Sequence, residues 1–187
     1  MKWIIFLFLT SIVLIIITGV VVPQVTLKIA SHKKATNKHS MTISSSAFQN
    51  NKVIPSRFTC DGADVNPPLT FSEIPKETKS LLLIVDDPDA TSGTWHHYTI
   101  YNMDPSMGGV EENAKPKSGQ EGITSFGKVG YGGPCPPSGV HNYVFTLYAL
   151  DIMLDLPANA TYNEIKSSMD VHVIDTAQIV GRYSRSN

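Results

Sequence analysis

The pattern of apolar and polar residues in the middle of the chain predicts β-strands. Residues Ser80 to Val85 form a short apolar run between Lys79 and an Asp-Asp-Pro turn, which is typical of a buried strand. Residues Trp95 to Met103 are rich in aromatic and β-branched side chains, which favour a second strand. Residues Asn142 to Leu150 place apolar side chains on both faces. This third segment is therefore expected in the middle of a sheet rather than at its rim.

One helix is indicated near the carboxyl end. Residues Thr161 to Glu164 form a Thr-x-x-Glu capping box, and Ile165, Met169 and Val173 then recur at i, i+4 and i+8. A last strand is expected around residues 179–183. Many short strands separated by Gly/Pro turns, with a single helix, predict a mainly β, sandwich-like domain rather than a doubly wound α/β fold.

The amino-terminal residues follow a different pattern. Residues 3–22 carry no charge and are almost wholly apolar, and as a helix they would span about 30 Å, the thickness of a bilayer's hydrocarbon core. We expect an uncleaved membrane anchor in residues 1–24 rather than a removed signal segment, because no convincing small-x-small cleavage site follows. Residues 25–40 are polar and lysine-rich, which is typical of a linker, and residues 41–187 form the folded domain.

Two rules disagree on the orientation of this anchor. The linker carries more lysines than the short amino-terminal flank, so the positive-inside rule would keep the domain in the cytoplasm. A single apolar segment at the extreme amino terminus is instead typical of exported domains. We expect a membrane-anchored protein with an extracytoplasmic domain, and a cytoplasmic-facing domain is the alternative.

Composition excludes several classes of function. The chain has 187 residues, with 15 Lys and Arg against 16 Asp and Glu, and a net charge of −1. This balance argues against a nucleic-acid binder that relies on a broad basic surface. Two cysteines are too few for a disulfide-rich mini-fold or a four-cysteine zinc site. The histidines lack a compact metal-ligand spacing, so we expect neither a metal nor another cofactor.

Candidate chemistry begins at the ends of two predicted strands. A cluster of three aspartates, Asp86, Asp87 and Asp89, follows the first strand, and such a cluster requires hydrogen-bond donors or solvent nearby. His96 and His97 are neighbours on one strand, so they face opposite sides of the sheet and at most one faces a given pocket. A solvated Asp-Pro turn is the alternative interpretation of the aspartates.

The richest stretch is the Gly/Pro loop of residues 127–139. Glycine lets backbone amides approach a ligand closely, and proline stiffens the loop before anything binds. Directly after the loop, His141 and Tyr143 share one face of a strand. Amides, an imidazole and a phenol together suit a phosphate or a carboxylate. A purely structural loop remains the alternative.

Several short motifs together resemble the phosphatidylethanolamine-binding protein family, and most closely its bacterial and archaeal branch, often called Raf kinase inhibitor-like proteins. The resemblance extends over residues 41–184. The motifs occur in this order: Thr59-Cys60-Asp61-Gly62, Asp87-Pro88-Asp89-Ala90, His97, Gly132-Gly133-Pro134-Cys135-Pro136-Pro137, His141-x-Tyr143 and Phe145 to Asp151.

The resemblance implies a single β-sandwich domain with one or two short helices and a small anion pocket at one end. It implies a module that binds a phosphate-containing small molecule or a phospholipid head group and that regulates a protein partner by inhibition. The alternative is a protease or kinase inhibitor that acts by surface contacts. Some microbial members dimerise, so a homodimer stays open. The implied ligand-binding residues are Asp87, Asp89, His97, Gly133, Pro134, Cys135, Pro136, Pro137, His141 and Tyr143, with Asp87 expected to orient His97.

The two cysteines permit two further interpretations. Cys135, His141 and Asp87 resemble a catalytic triad, but Pro136 has no backbone N–H for an oxyanion hole, so we do not expect an enzyme. Cys60 and Cys135 each lie in a loop beside the expected pocket, which makes them candidates for a disulfide in an exported domain. Free buried thiols are the alternative in a cytoplasmic one.

Overall fold

Two β-sheets pack face to face in residues 40–185, the part of the chain that the computed structural model describes. The smaller sheet has the order β1-β3-β6, and the larger sheet has the order β2-β9-β8-β4-β5-β7. The strands are β1 (Thr42–Ser44), β2 (Lys52–Val53), β3 (Leu69–Ser72), β4 (Ser80–Asp87), β5 (Trp95–Met103), β6 (Gly109–Val110), β7 (Gln120–Glu121), β8 (His141–Leu150) and β9 (Val173–Tyr183). The prediction of a mainly β sandwich is confirmed.

Strand β8 lies inside the larger sheet, between β9 and β4, as the apolar residues on both of its faces predict. Its inner side chains, such as Phe145 and Leu147, are fully buried against residues of the smaller sheet. Each fully buried side chain of this size stabilises the fold by about 1.5–3 kcal/mol. The core between the sheets therefore fixes the strand whose first residue is His141.

The outer face of the larger sheet is covered in part by helix α1 (Tyr162–Met169), whose Ile165 and Met169 pack on residues of β4 and β5. The capping box is present, because Thr161 Oγ1 accepts from the Glu164 amide and the Glu164 carboxylate accepts from the Thr161 amide at 2.7 Å. The predicted helical repeat extends too far. Val173 begins β9 and pairs with Leu150, since β-branched residues after the helix favour the sheet. A one-turn 3-10 helix spans Ser56–Phe58.

A β-bulge in β5 sets the direction of His97. Across the strand pair, Val85 is opposite Tyr98 and Asp86 is opposite His96, so His97 is the extra residue. Tyr98 belongs to the core between the sheets, and the His97 ring lies edge-on to Tyr143, 5.2 Å between ring centroids. The bulge therefore directs His97 inward and leaves His96 outward.

The two ends of β9 lie at opposite ends of the domain. The backbone N–H of Met41 donates to Asp175 near the start of β9, and Tyr183 at its end pairs with His141. Eight residues separate these positions on β9, or about 26 Å of extended strand. The described chain therefore begins at the end of the sheet opposite His141.

No helix among residues 40–185 is long and apolar enough to cross a membrane. The predicted anchor at residues 3–22 lies outside the described residues.

Candidate functional site

A cavity of about 210 Å³ opens where β4 ends and β8 begins. It brings together all of the predicted ligand-binding residues except Asp89, Gly133 and Pro134. Its walls come from three strand ends and two loops. The lining residues are Asp87, Ala90, Thr91, Ser92, Trp95, His97, Phe126, Cys135, Pro136, Pro137, His141 and Tyr143.

His141 is held from behind by Asp87. Its Nδ1 lies 2.7 Å from Asp87 Oδ2, and both side chains are more than nine-tenths buried. The second Asp87 oxygen accepts from the Asp89 amide at 2.9 Å. The expectation that Asp87 orients His97 is therefore wrong, because the carboxylate is taken by His141. With Nδ1 donating to Asp87, the Nε2 atom of His141 is free for a ligand.

His97 is oriented by a neutral group. Its Nδ1 donates to the Gly132 carbonyl at 2.6 Å, and the residue is almost fully buried. Burial lowers the pKa of His97, while the Gly132 hydrogen bond and the negative charges of Asp87 and Asp86 act in the opposite direction. The uncharged ring is thus favoured when the cavity holds no anion, with the proton on Nδ1 and a bare Nε2.

The Tyr143 hydroxyl is a buried polar atom without a hydrogen bond among the described residues. Burial raises the pKa of Tyr143 well above its usual range, and the Asp87 charge adds to the effect. The Asp87 carboxylate and the Cys135 amide are near enough to influence this pKa, but neither is in hydrogen-bonding geometry. Native proteins rarely leave such a hydroxyl unpaired, so this atom is a candidate ligand donor.

Residues 135–137 of the Gly/Pro loop line the cavity, but the Gly132 and Gly133 amides of this loop are bonded within the protein. The Gly133 amide donates to Asp64 at 2.7 Å, and the Gly132 amide donates to the His97 carbonyl at 3.0 Å. A Cβ atom on Gly133 would lie 2.7 Å from the Phe58 carbonyl oxygen, so the close approach requires glycine. Both amides are occupied within the protein, contrary to the expectation that they face a ligand. Pro134 likewise contributes its carbonyl, which accepts from the Cys60 amide at 3.1 Å.

Asp89 lies outside the cavity and positions the start of β8. Its Oδ2 accepts from the backbone amide and from the side-chain amide of Asn142, both at 2.8 Å. These bonds, the backbone one above all, lower the pKa of Asp89. The aspartate turn is thereby joined to the residue that follows His141.

Cys60 and Cys135 form a disulfide that joins the loop after the 3-10 helix to the Gly/Pro loop, and both residues are exposed. The bond joins positions 75 residues apart in the sequence. A bonded sulfur carries no thiolate, so in this form Cys135 has no nucleophile to offer.

His96 lies on the other face of the sheet, as strand alternation predicts. Its Nδ1 is 2.7 Å from Asp86 Oδ1, and its ring stacks on Tyr162 of α1 at 3.5 Å between centroids. Among residues 40–185, no group of three or more His, Cys, Asp or Glu side chains is placed to hold a metal ion.

Sequence reasoning missed five lining residues. Trp95 precedes His97 by two positions on β5, and strand spacing was a signal that could have found it. Phe126 packs edge-on to both Trp95 and His97, at 5.5 and 5.4 Å between centroids. The other three are Ala90, Thr91 and Ser92, which like Phe126 come from loops, where no periodicity marks the side that faces a cavity.

A larger cavity, of about 530 Å³, lies beside β6. Among the described residues, no histidine lines it, and its Lys117 and Glu111 pair with each other at 2.6 Å. The smaller cavity gathers two histidines and the Tyr143 hydroxyl, so it is the better candidate site.

Comparisons with known proteins agree with this fold. The family model described as phosphatidylethanolamine-binding protein matches residues 44–184. A UPF0098 protein of Methanothermobacter thermautotrophicus is 45% identical over 150 residues, which cover 78% of this chain and 99% of that protein. A Chlamydia trachomatis crystal structure, described as that of a phosphatidylethanolamine-binding protein homolog, matches with a TM-score of 0.76 and 38% identity, over 79% of this chain and 99% of that one. Escherichia coli YbcL, described as a member of the mammalian family, matches with a TM-score of 0.74 and 27% identity over the same shares.

Proposed function

Because this chain belongs to the phosphatidylethanolamine-binding protein family, we propose that its domain binds a small phosphate-containing anion, such as a phospholipid head group. The observation that carries the proposal is the Tyr143 hydroxyl, which has no hydrogen-bond partner in the described part of the chain and belongs to a residue that lines the cavity beside two histidines. Hydrogen bonds to the protein fix Nδ1 of both His97 and His141, so Nε2 is left for a ligand in each ring. The Tyr143 hydroxyl donates from its neutral form and each Nε2 donates once its ring is protonated, so three donors around one hollow suit the oxygen atoms of a phosphate group.

Size and energetics support a head group rather than a whole lipid. The cavity, of about 210 Å³, is smaller than the pockets of roughly 300–1,000 Å³ that hold drug-sized ligands. A hydrogen bond to a charged group contributes about 1.5–3 kcal/mol, so two or three of them give weak to moderate affinity. The site is thus suited to reversible sensing of a head group.

Calorimetry with O-phosphoethanolamine tests the proposal. We expect the substitution His141→Ala to weaken binding at least about tenfold, because it removes one ligand donor and leaves Asp87 buried without its partner. His172→Ala is the matched control, since His172 also contacts an aspartate, Asp151, but is not among the residues that line the cavity. Unchanged affinity in His141→Ala would refute the proposal that the anion binds in this cavity. Mass spectrometry of molecules that co-purify with the protein from its own cells would then identify the natural ligand.

We also propose that the domain is extracytoplasmic. The Cys60–Cys135 bond supports this location, because disulfides persist in oxidising compartments and are rare in the cytosol. Alkylation of the protein in its own cells, before any reduction, tests the proposal. Two alkylated cysteines in the isolated protein would contradict it, and no alkylation is the expected result.

A further inference from the structure

The described side chains that line the cavity carry a negative charge and no permanent positive charge, which is unfavourable for binding an anion. Asp87 is a wall residue and carries a negative charge next to the site. Among the described residues, no lysine or arginine lines the cavity, and its only cationic candidates are His97 and His141. The nearby Lys128 is not a lining residue, and its Nζ lies over the ring of Phe126, 5.7 Å from the ring centroid. The positive charge that an anion requires must therefore come from a histidine.

The two histidines differ in whether a nearby negative charge offsets the positive charge of the protonated ring. A positive charge on His141 is offset by Asp87, its partner at 2.7 Å, so that pair adds no net positive charge to the site. Within residues 40–185, His97 has no carboxylate partner, because its Nδ1 donates to a neutral carbonyl. When that pair has no net charge, a second proton on His97, at Nε2, makes the cavity net positive.

The surroundings of His97 favour a neutral ring until an anion arrives. From β8, Tyr143 presents a ring edge-on, and from the loop Phe126 does the same. From β4, Asp87 and Asp86 are the charged groups that influence His97, and both favour its protonation. Burial opposes them and is the largest of these effects. A bare Nε2 presents a lone pair that repels an anionic oxygen, and a protonated Nε2 donates to it.

We propose that anion binding in this cavity is coupled to the uptake of one proton by His97 at Nε2, which makes His97 the residue that matches the charge of the pocket to its ligand. The inference rests on the proposed function. Anion affinity then falls as pH rises, because fewer His97 rings are protonated, and the bound anion in turn holds the proton on the ring.

Calorimetry with sulfate tests this coupling, because sulfate stays doubly charged at neutral pH and cannot take the proton itself. Titrations near about pH 7.5, in two buffers with different heats of ionisation, count the protons taken up. We expect about one proton per bound sulfate and an affinity that falls about tenfold per pH unit in this range. In His97→Asn, whose amide can still donate to the Gly132 carbonyl, the uptake should disappear. His96→Asn is the control, since His96 lies on the other face of the sheet.

Each other outcome overturns the proposal. Sulfate binding without proton uptake, or uptake that is undiminished in His97→Asn, excludes His97 as the acceptor. Nitrogen-15 NMR of the unmodified chain gives the same answer if His97→Asn does not fold, because Nε2 of His97 must change from unprotonated to protonated when sulfate binds. An Nε2 that stays unprotonated in the sulfate complex refutes the coupling. Failure of the proposed function is a separate result, in which neither sulfate nor O-phosphoethanolamine binds at any pH, and it removes both proposals.

Discussion

Replacing Tyr143 by phenylalanine separates binding from stability in this domain. The Tyr143 hydroxyl is buried at the cavity and has no hydrogen bond among the described residues, so its removal breaks none of their hydrogen bonds. We therefore expect the free energy of unfolding to stay equal or to rise by up to about 1 kcal/mol. A ligand loses a donor, however, and one hydrogen bond to a charged group contributes about 1.5–3 kcal/mol. The expected loss of affinity for O-phosphoethanolamine is about 10- to 100-fold.

Tyr98→Phe is the matched control for this prediction. The Tyr98 hydroxyl is bonded, because it donates to Glu121 at 2.8 Å, and Tyr98 does not line the cavity. We expect this substitution to lower the free energy of unfolding by about 1–2 kcal/mol and to leave binding unchanged. Urea unfolding measures the free energy of unfolding of each variant, and calorimetry measures its affinity for O-phosphoethanolamine. Equal affinity in Tyr143→Phe and the unmodified chain would refute the assignment of Tyr143 as a ligand donor, and a loss of stability above about 1 kcal/mol would show that its hydroxyl is paired without ligand.

Two further predictions concern the loops around the cavity. Reduction of the Cys60–Cys135 bond, which closes a long loop, should lower the free energy of unfolding by roughly 4 kcal/mol in urea titrations; a change below about 1 kcal/mol would contradict this. Asp89 has a lowered pKa, so its contribution to stability is present at neutral pH and is lost as pH falls through the folded-state pKa. Asp89→Asn should therefore lose less stability than the unmodified chain between about pH 5 and pH 3, and equal losses would contradict it.

The sequence predicted the scaffold of the site because burial leaves a periodic trace. Strand β5 begins and ends at the predicted residues, and β8 extends only one residue further. Both strands are long and buried, so their residue choice is constrained along the whole element. Strands β2, β6 and β7 have two residues each, which is too short for any period to be visible.

The contacts between the residues of the site could not be predicted from the sequence. Asp87 contacts His141, from which it is separated by 54 residues, and this pairing depends on the register of β4 and β8. The inward direction of His97 depends on a bulge that no residue type in β5 marks. The Gly133 amide is turned toward Asp64 rather than toward the cavity because a distant loop packs against it. Each of these contacts is non-local, whereas sequence patterns report mainly local structure.

The opposite placement of Met41 and His141 determines how this domain can be attached to a surface. Met41 lies near the start of β9, and the cavity lies near its end. A tether attached on the amino-terminal side of Met41 is therefore far from the cavity and leaves its opening accessible to solution. A tether joined after Tyr183 emerges beside His141 and crowds the mouth. Biosensor chips and affinity resins for ligand capture should therefore be coupled through the amino-terminal side, and a carboxyl-terminal tag is the arrangement to avoid.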